Sequence, residues 1–461
     1  MERVARPLIE GVKDDLLPLV EERRDAAIKT VLLNLHPADI AVLISYLDDE
    51  EDQRYLFSLV MDPEVASAVL TELPPPVLER VISELPHHEL ADLVEEMDSD
   101  DAADLVQGLP EELAAKVLMG IEPEELAAMR PLLVYDEDTA GGIMATEVVT
   151  VNVGDTVGDA RTAVRAQSEE LEAFFFVFVV DDRGRLKGTL SLRDMVLRHS
   201  STPVREAMNP DPIRLHPEMD QEEVANIFRR YDLFSAPVVD ADGILLGRIT
   251  VDDVVDVMRE EAEEDIARMA GTAGEEFDES SVKRIAVLRL PWLITSLFGG
   301  LLAGAVLRHF AGLLREVVVA LVVFVPVITA MGGNAGSQAA VTMVRRLAVR
   351  TLRARDVVTV VFREARVGLL LGLMCGVVVG TVAYFWRDQW FYGVVVGVAM
   401  NCAVLVAATM GALVPLFFHR IKVDPAIATG PFVSMSNDVV GLFIYFGLAT
   451  FLLHLTSAVP H

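Results

Sequence analysis

Apolar and polar positions follow three different rhythms along this chain. Between about residues 30 and 132 an apolar residue followed by a helix-starting one recurs every 12 positions: Leu73-Pro74, Leu85-Pro86, Met97-Asp98, Leu109-Pro110 and Ile121-Glu122, preceded by Leu35 and Leu47 at the same spacing from each other. Pro and Asp suit a helix cap or first turn, so this segment predicts a superhelix of short helices, each burying one apolar stripe. From about 140 to 260 short strand-like runs alternate with turns, and the run Phe178–Asp194 recurs as Val238–Asp253. Gly188 and Gly247, like Asp194 and Asp253, are 59 residues apart. Each copy reads as strand, turn, strand and a helix opening at Ser191 or Thr250, whose hydroxyls are good caps. The third rhythm is long: five apolar stretches at about 285–307, 317–344, 366–386, 391–418 and 426–456. Each reaches the roughly 20 residues that cross a bilayer core; the second is interrupted by Pro326 and Gly332-Gly333. Between the second and third rhythms, residues 254–279 read as one connecting helix ending near Gly271, either a mechanical link or a passive spacer.

Charge separates the same regions. Of 70 acidic and 39 basic residues, six and 15 lie from Ser281 onward, which leaves 64 and 24 in the first 280. A block this acidic repels nucleic acid and anionic headgroups, so nucleic-acid partners are excluded, and polyvalent cations are its best screen. One run, Glu95 to Asp101, carries five carboxylates in seven residues. Cys375 and Cys402, the only cysteines, both lie in apolar stretches and offer neither a disulfide framework nor a thiolate metal site. The first eleven residues lack the apolar core of a signal peptide. Lys and Arg set the orientation. Twelve of them (Lys283, Arg284, Arg289, Arg345, Arg346, Arg350, Arg353, Arg355, Arg363, Arg366, Arg420, Lys422) fall on one side, against Arg308, Arg315 and Arg387 on the other. The N-terminal region is therefore expected in the cytoplasm and the C-terminus outside a plasma (inner) membrane.

Ionisable groups inside a span are costly and default to function. Asp438, in the run Ser434 to Asp438, is the only carboxylate well inside a stretch; it either meets an ion or packs protonated against a hydroxyl. In the second stretch, Pro326 removes a donor and frees a carbonyl, and the glycines permit close approach. Asn334 and Gln338, at i and i+4, share a face. That stretch is either a polar lining or a small-residue packing seam. Carboxylate, carbonyl and amide oxygens suit a hard, largely hydrated Mg²⁺. No ATP-driven machinery is needed, because the membrane potential supplies roughly 2.3 kcal/mol per charge per 100 mV.

The duplicated segment resembles a tandem CBS module, a regulatory fold that often binds adenine nucleotides. The resemblance implies a ribose contact at Asp194 or Asp253 and base stacking at Phe176, with Arg193 beside them as a candidate nucleotide contact. The whole chain resembles the MgtE family of Mg²⁺ channels, most specifically in Pro326 to Gln338, Val423 to Ala426, and Asn437-Asp438 followed by Gly441. The expected architecture is multi-domain. It comprises an acidic all-α superhelical domain (1–139), two α/β CBS repeats (140–203 and 204–253), a connecting plug helix (254–280) and a five-helix transmembrane pore domain (281–461).

The resemblance implies a lipid-embedded homodimer with its pore on the axis. Pore Mg²⁺ would meet Asp438 and Ser434, with Asn334, Gly336 and Gln338. Regulatory Mg²⁺ would meet Asp100, Asp104, Glu222, Asp232, Asp253, Asp256, Glu261, Glu264, Asp265 and Asp424. Two departures from the family pattern stand out: Arg259 at an often acidic plug position, and Leu233 in place of an aromatic beside Asp232, which weakens the case for ATP. The implied mechanism is electrostatic: carboxylates repel at low Mg²⁺, and at millimolar Mg²⁺ they are bridged and the plug shuts the pore. Alternatives are a broader Mn²⁺/Co²⁺ pathway, an ion-coupled exchanger, and an intramembrane aspartyl protease, which would need a second aspartate that this chain lacks.

Overall fold

The segment that carries the 12-residue rhythm, with the residues before it, folds as ten short helices among the described residues. They are α1 (Ile9–Glu21), α2 (Asp25–Leu32), α3 (Pro37–Ser45), α4 (Glu50–Ser58), α5 (Pro63–Thr71), α6 (Pro75–Ile82), α7 (His87–Glu95), α8 (Ser99–Gly108), α9 (Glu111–Gly120) and α10 (Pro123–Met129). Proline opens α3, α5, α6 and α10, and the Asp49 carboxylate accepts the Glu51 amide of α4 at 2.8 Å. The phase-setting residues Leu47, Leu73, Leu109 and Ile121 are buried, and Leu35, Leu85 and Met97 pack against the same core. Alternate helices stack, α3 on α5, α5 on α7, α7 on α9, and α4 on α6, α8 on α10, so each short helix finds a second layer for its stripe.

In this computed structural model, residues 9–167, 175–276, 281–314, 316–349, 354–428 and 430–457 are described. The chain divides into two compact units, Met1–Glu261 and Ala262–His461. Residues 1–8 and 277–280, and Arg315, Arg350 and Arg353 of the charge asymmetry, lie outside the described residues.

The duplication is repeated in space. The first copy contains β1 (Thr150–Asn152), α11 (Val157–Ala166), β2 (Phe176–Val180), β3 (Leu186–Ser191), α12 (Leu192–Leu197) and α13 (Val204–Ala207). The second contains α14 (Gln221–Tyr231), β4 (Ser235–Val239) and β5 (Leu245–Thr250), and runs into α15 (Val251–Ala270). β2 and β3 are antiparallel with Val179 opposite Gly188 and a bulge after Val179; β4 and β5 repeat this with Val238 opposite Gly247 and a bulge after Val238. β1 adds a parallel edge to the first sheet, and Leu215 bridges Val238 in the same sense. The repeated glycines have a steric reason. A Cβ on Gly247 would lie 2.5 Å from the Ala145 carbonyl, because Ala145 exchanges two 2.8 Å hydrogen bonds with Arg248; Asn209 crosses Gly188 in the same way. Ser191 caps α12 as expected, its hydroxyl accepting the Asp194 amide at 3.0 Å. One apolar core joins the superhelix to Leu215, Val224, Phe228, Val238, Ile249, Val254 and Val257 of the second copy, while the first copy keeps its own. The connecting helix starts earlier than the pattern suggests: α15 leaves β5 directly at Val251, so the helix that closes the second repeat is also the connector.

The second unit contains α16 (Val282–Leu314), α17 (Glu316–Val322), α18 (Val325–Val349), α19 (Ala354–Arg387), α20 (Trp390–Arg420) and α21 (Pro431–Ser457). Among the described residues four segments are long and apolar enough to cross a membrane: Val282–Gly312, Val357–Arg387, Trp390–Arg420 and Phe432–Leu452. The second apolar stretch is divided between α17 and α18. The break falls just before Pro326, which occupies the first turn of α18 where a missing N–H costs nothing, whereas Gly332-Gly333 remain inside that helix. Near the break Leu321 accepts the hydroxyl of buried Tyr445 at 2.9 Å, and Ala320 accepts Arg387 at 3.3 Å.

α19 and α20 form an antiparallel hairpin sealed by small residues. Gly368, Gly372, Gly376 and Gly380, one turn apart, meet Leu405, Asn401, Gly397 and Gly393 in register, with backbone against backbone. Such close approach lets helices gain dispersion contact in lipid, where no hydrophobic force drives them together.

Candidate functional site

The acidic residues of the first unit gather where α8 faces the start of α15. Asp100, Asp101 and Asp104 lie on α8; Asp253, Asp256 and Glu260, at i, i+3 and i+7, line one face of α15. Asp100 is 8 % exposed, and its Oδ1 is buried with no hydrogen-bond partner. Burial raises its carboxyl well above the ordinary range, with further upward pressure from the charges of Asp253, Asp101 and Asp98. Asp101 and Asp104 keep exposed surface, yet crowding by protein and then neighbouring carboxylates, Asp253 foremost for Asp101 and Glu137 for Asp104, push both to about 7. Burial also raises Asp253, against the pull of two hydrogen bonds from Thr250, hydroxyl at 2.6 Å and amide at 3.0 Å. Glu260 is raised by burial and partly relieved by Arg259. Arg259, the departure noted in sequence, also pairs with Asp256 at 3.5 Å, so it neutralises one edge of the cluster.

The arrangement brings together Asp100, Asp104, Asp253 and Asp256 and adds Asp101 and Glu260, which the family resemblance had not supplied. Helical spacing alone could have found both, since Asp101 is three residues before Asp104 and Glu260 is four after Asp256. Among the described residues no three His, Cys, Asp or Glu side chains converge tightly enough to form a closed metal cage. The cluster is a field of like charge rather than a preformed coordination sphere. Its oxygen-only donors and the orphaned Asp100 oxygen fit a hydrated hard cation.

The other expected regulatory residues lie apart. Glu222 opens α14, and Asp232 closes it in a left-handed conformation at φ 52°, about 15 Å of helix away. Glu261 accepts the buried Gln221 amide at 2.8 Å, which places it beside the start of α14. In the second unit Glu264 and Asp424 both pair with Arg268, and Asp265 is half-buried on the same helix. At the candidate nucleotide position, Phe176 begins β2, Arg193 is exposed on α12, and Asp194 accepts the Ser191 hydroxyl at 2.6 Å and lies 3.9 Å from Arg198. An aromatic contact missed in sequence lies next to Phe176: Phe175 stacks on Phe234 with centroids 5.2 Å apart. The two occupy equivalent places in the 59-residue repeat.

The expected pore residues divide between faces. Gly332 and Gly336 turn toward α21, where added Cβ atoms would lie 2.5 Å from Asn437 and 2.9 Å from Val433. The Gly336 carbonyl lies against Gly411 of α20, so Gly336 serves helix packing and the packing alternative applies to it. Asn334 and Gln338 lie elsewhere on α18, lining a cavity of about 200 Å³ with Met331, Ala335, Leu371, Cys375 and Val404. Asp438 is half-buried on α21, one turn after Ser434 and next to buried Asn437. Among the described residues, no hydrogen bond or ion pair is made by the side chains of Asp438, Asn334 or Gln338.

Comparison with known proteins agrees with each region. Family models match an MgtE intracellular N domain over residues 35–138, CBS domains over 140–199 and 204–260, and an MgtE divalent cation transporter domain over 325–448. A protein described as magnesium transporter MgtE from Enterococcus faecalis is 37% identical over 327 residues, 71% of this chain and 72% of that one. One from Thermus thermophilus is 39% identical over 336 residues, 72% and 74%. A crystal structure described as the cytosolic domain of the Mg²⁺ channel MgtE in complex with ATP aligns with TM-score 0.51 and 35% identity, covering 53% of this chain and 99% of that one. With an acidic superhelix, a duplicated regulatory module and apolar helices in the order of these relatives, the chain belongs to the MgtE family, a family of membrane transporters rather than enzymes.

Proposed function

We propose that this chain is a Mg²⁺-selective channel of the inner membrane. It works as a homodimer, passes Mg²⁺ inward down the membrane potential, and closes when cytoplasmic Mg²⁺ is held by its acidic residues. Asp438 is the observation that carries the reading. A carboxylate without a protein partner on a membrane helix is costly unless a cation or water offsets it, and an oxygen-only environment suits a hydrated hard dication. The relatives described as magnesium transporters support the choice of ion. In this reading the chain crosses five times, with α17 and α18 counted as one, so that the N-terminal region lies in the cytoplasm and the C-terminus outside; the uneven Lys and Arg distribution supports it.

The regulatory ion would be held by Asp100, Asp101, Asp104, Asp253, Asp256 and Glu260, and near α15 by Glu261, Glu264, Asp265 and Asp424. It supplies the positive charge that these groups lack together. Such multi-ligand oxygen sites suit millimolar concentrations, and closure requires only that the compact state bind Mg²⁺ better than the open one. Glu222 and Asp232 would act elsewhere on the CBS pair. ATP binding near Phe176, Arg193 and Asp194 is a further part of the proposal, supported by the ATP-bound relative.

The test is Mg²⁺ flux into proteoliposomes containing the full chain. Asp438→Ala abolishes uptake while the protein elutes and unfolds as the parent does; normal uptake by that variant refutes the pore assignment. A broader divalent pathway is a second reading, favoured by the family description as a divalent cation transporter; comparable Mn²⁺ or Co²⁺ uptake would establish it. Flux that requires a Na⁺ or H⁺ gradient would instead indicate an exchanger.

A further inference from the structure

The C-terminal end of α15 is fastened to the membrane unit by a cation that belongs to the chain. Arg268 lies one turn after Glu264, and its guanidinium pairs with Glu264 through Nη2 and with Asp424 through Nη1. Asp424 is itself oriented, its Oδ1 accepting the Ala426 amide at 2.8 Å in the turn that leads to α21. The backbones meet at the same place. A Cβ on Gly430 would lie 2.9 Å from the Met269 carbonyl and 3.6 Å from that of Arg268. The closing carbonyls of α15 therefore abut the residue that precedes Pro431, where the positive end of the α21 dipole lies. The Arg268 and Asp424 side chains are 32% and 26% exposed, so the pair is shielded enough to matter and open enough to exchange.

We propose that Arg268 is a tethered counter-charge. It holds the end of α15 on the 424–430 turn in the absence of Mg²⁺, and it competes with Mg²⁺ for Glu264 and Asp424. The competition half rests on the reading of these carboxylates as Mg²⁺ ligands; the tether half does not. A guanidinium fork satisfies two carboxylates with fixed geometry. A dication reaching Asp424 must displace it, which raises the Mg²⁺ concentration needed for closure. Without Arg268, Glu264 and Asp424 face each other as like charges and the docked end loses its support until a dication arrives.

The experiment is hydrogen exchange of residues 262–276 in the full-length protein, first in chelator and then across a Mg²⁺ titration. Arg268→Gln exchanges about five-fold faster than the parent in chelator, the scale of a partly shielded ion pair, and regains protection at lower Mg²⁺ than the parent needs for its own response. Arg268→Lys, which keeps the charge and loses the fork, falls between. Asp424→Asn loses protection in chelator and does not regain it with Mg²⁺. Unchanged exchange in chelator for Arg268→Gln, with the superhelix unaltered, overturns the tether. A higher Mg²⁺ requirement in that variant overturns the competition. Fast exchange in chelator that Mg²⁺ leaves untouched in every variant supports the tether and removes Mg²⁺ from this turn, independently of whether the protein conducts.

Discussion

Asp100 is the sharpest probe of the acidic cluster, because replacing it should improve the fold it belongs to. Its Oδ1 is buried without a partner, and its nearest charged influences, Asp253, Asp101 and Asp98, are all negative. Two unit charges 4 Å apart near a protein surface interact by about 4 kcal/mol. The cluster escapes part of that by holding protons, so Asp100→Asn should recover about 1–3 kcal/mol rather than the whole interaction. The amide keeps the shape, removes one charge and supplies a donor to a neighbouring carboxylate. For a unit of this size that gain raises the melting temperature by about 5 °C in chelator at about pH 8. With Mg²⁺ the order reverses in response if not in absolute value. The parent gains stability in proportion to ligand occupancy, and the variant, with one oxygen donor weakened, gains less. Thermal unfolding of parent and variant in chelator and in about 10 mM Mg²⁺ reads both effects, the concentration being chosen for weak oxygen sites. A lower melting temperature for Asp100→Asn in chelator, or an undiminished Mg²⁺ response, refutes the account of the cluster as unrelieved like charge.

Acidification should act in the same direction as that substitution. Asp101 and Asp104, ordinarily near 3.8, titrate at about 7 in the folded chain. Between those values the folded state binds more protons than the unfolded one, so stability without Mg²⁺ falls as pH rises through the window and is lowest above about 7. Protons and Mg²⁺ compete for the same oxygens, and the Mg²⁺-induced stabilisation should shrink as pH falls below about 7; a Mg²⁺ response independent of pH from 5.5 to 8 would contradict this. In the membrane unit, Gly376→Leu should open the α19–α20 seam, because its Cβ direction is filled by the Gly397 backbone. A loss of about 1–3 kcal/mol is expected in detergent unfolding, with Gly300→Leu, whose Cβ direction is open, as the control that should stay near parent stability.

Periodicity disclosed the fold where one physical constraint repeats. The superhelix was legible because each short helix needs an apolar residue and a starter at a recurring spacing, and the buried Leu47, Leu73, Leu109 and Ile121 are such residues. The CBS duplication was legible because a backbone crossing forces glycine at Gly247 and again, 59 residues earlier, at Gly188. The membrane motif was harder to interpret, because glycine signals close approach without saying to what. Gly332 and Gly336 pack on α21, and the Leu321 and Ala320 carbonyls before Pro326 meet Tyr445 and Arg387, residues remote in sequence. Arg268 carried no signal at all. It reads as an ordinary helix-terminal base until the fold brings Asp424, 156 positions away, into reach.

The distribution of polar groups in the membrane unit argues for a wet partner surface. Asn334 and Gln338 are exposed on α18 at the rim of their cavity, and Asp438 is half-buried on α21. Lipid cannot satisfy an amide or a carboxylate, and each such group left bare in hydrocarbon costs several kcal/mol. The same unit encloses other polar groups in protein: the Leu321 and Ala320 carbonyls meet Tyr445 and Arg387, Asn437 is buried against Gly332, and Asn401 keeps a buried, unpartnered Oδ1 among the described residues. A chain that leaves these three side chains accessible and, among the described residues, without partners is incomplete as a lipid-facing monomer. Water in the cavity beside Asn334 and Gln338 and at the α21 face that carries Asp438 would satisfy them, and the proposed channel requires wet surfaces of that kind.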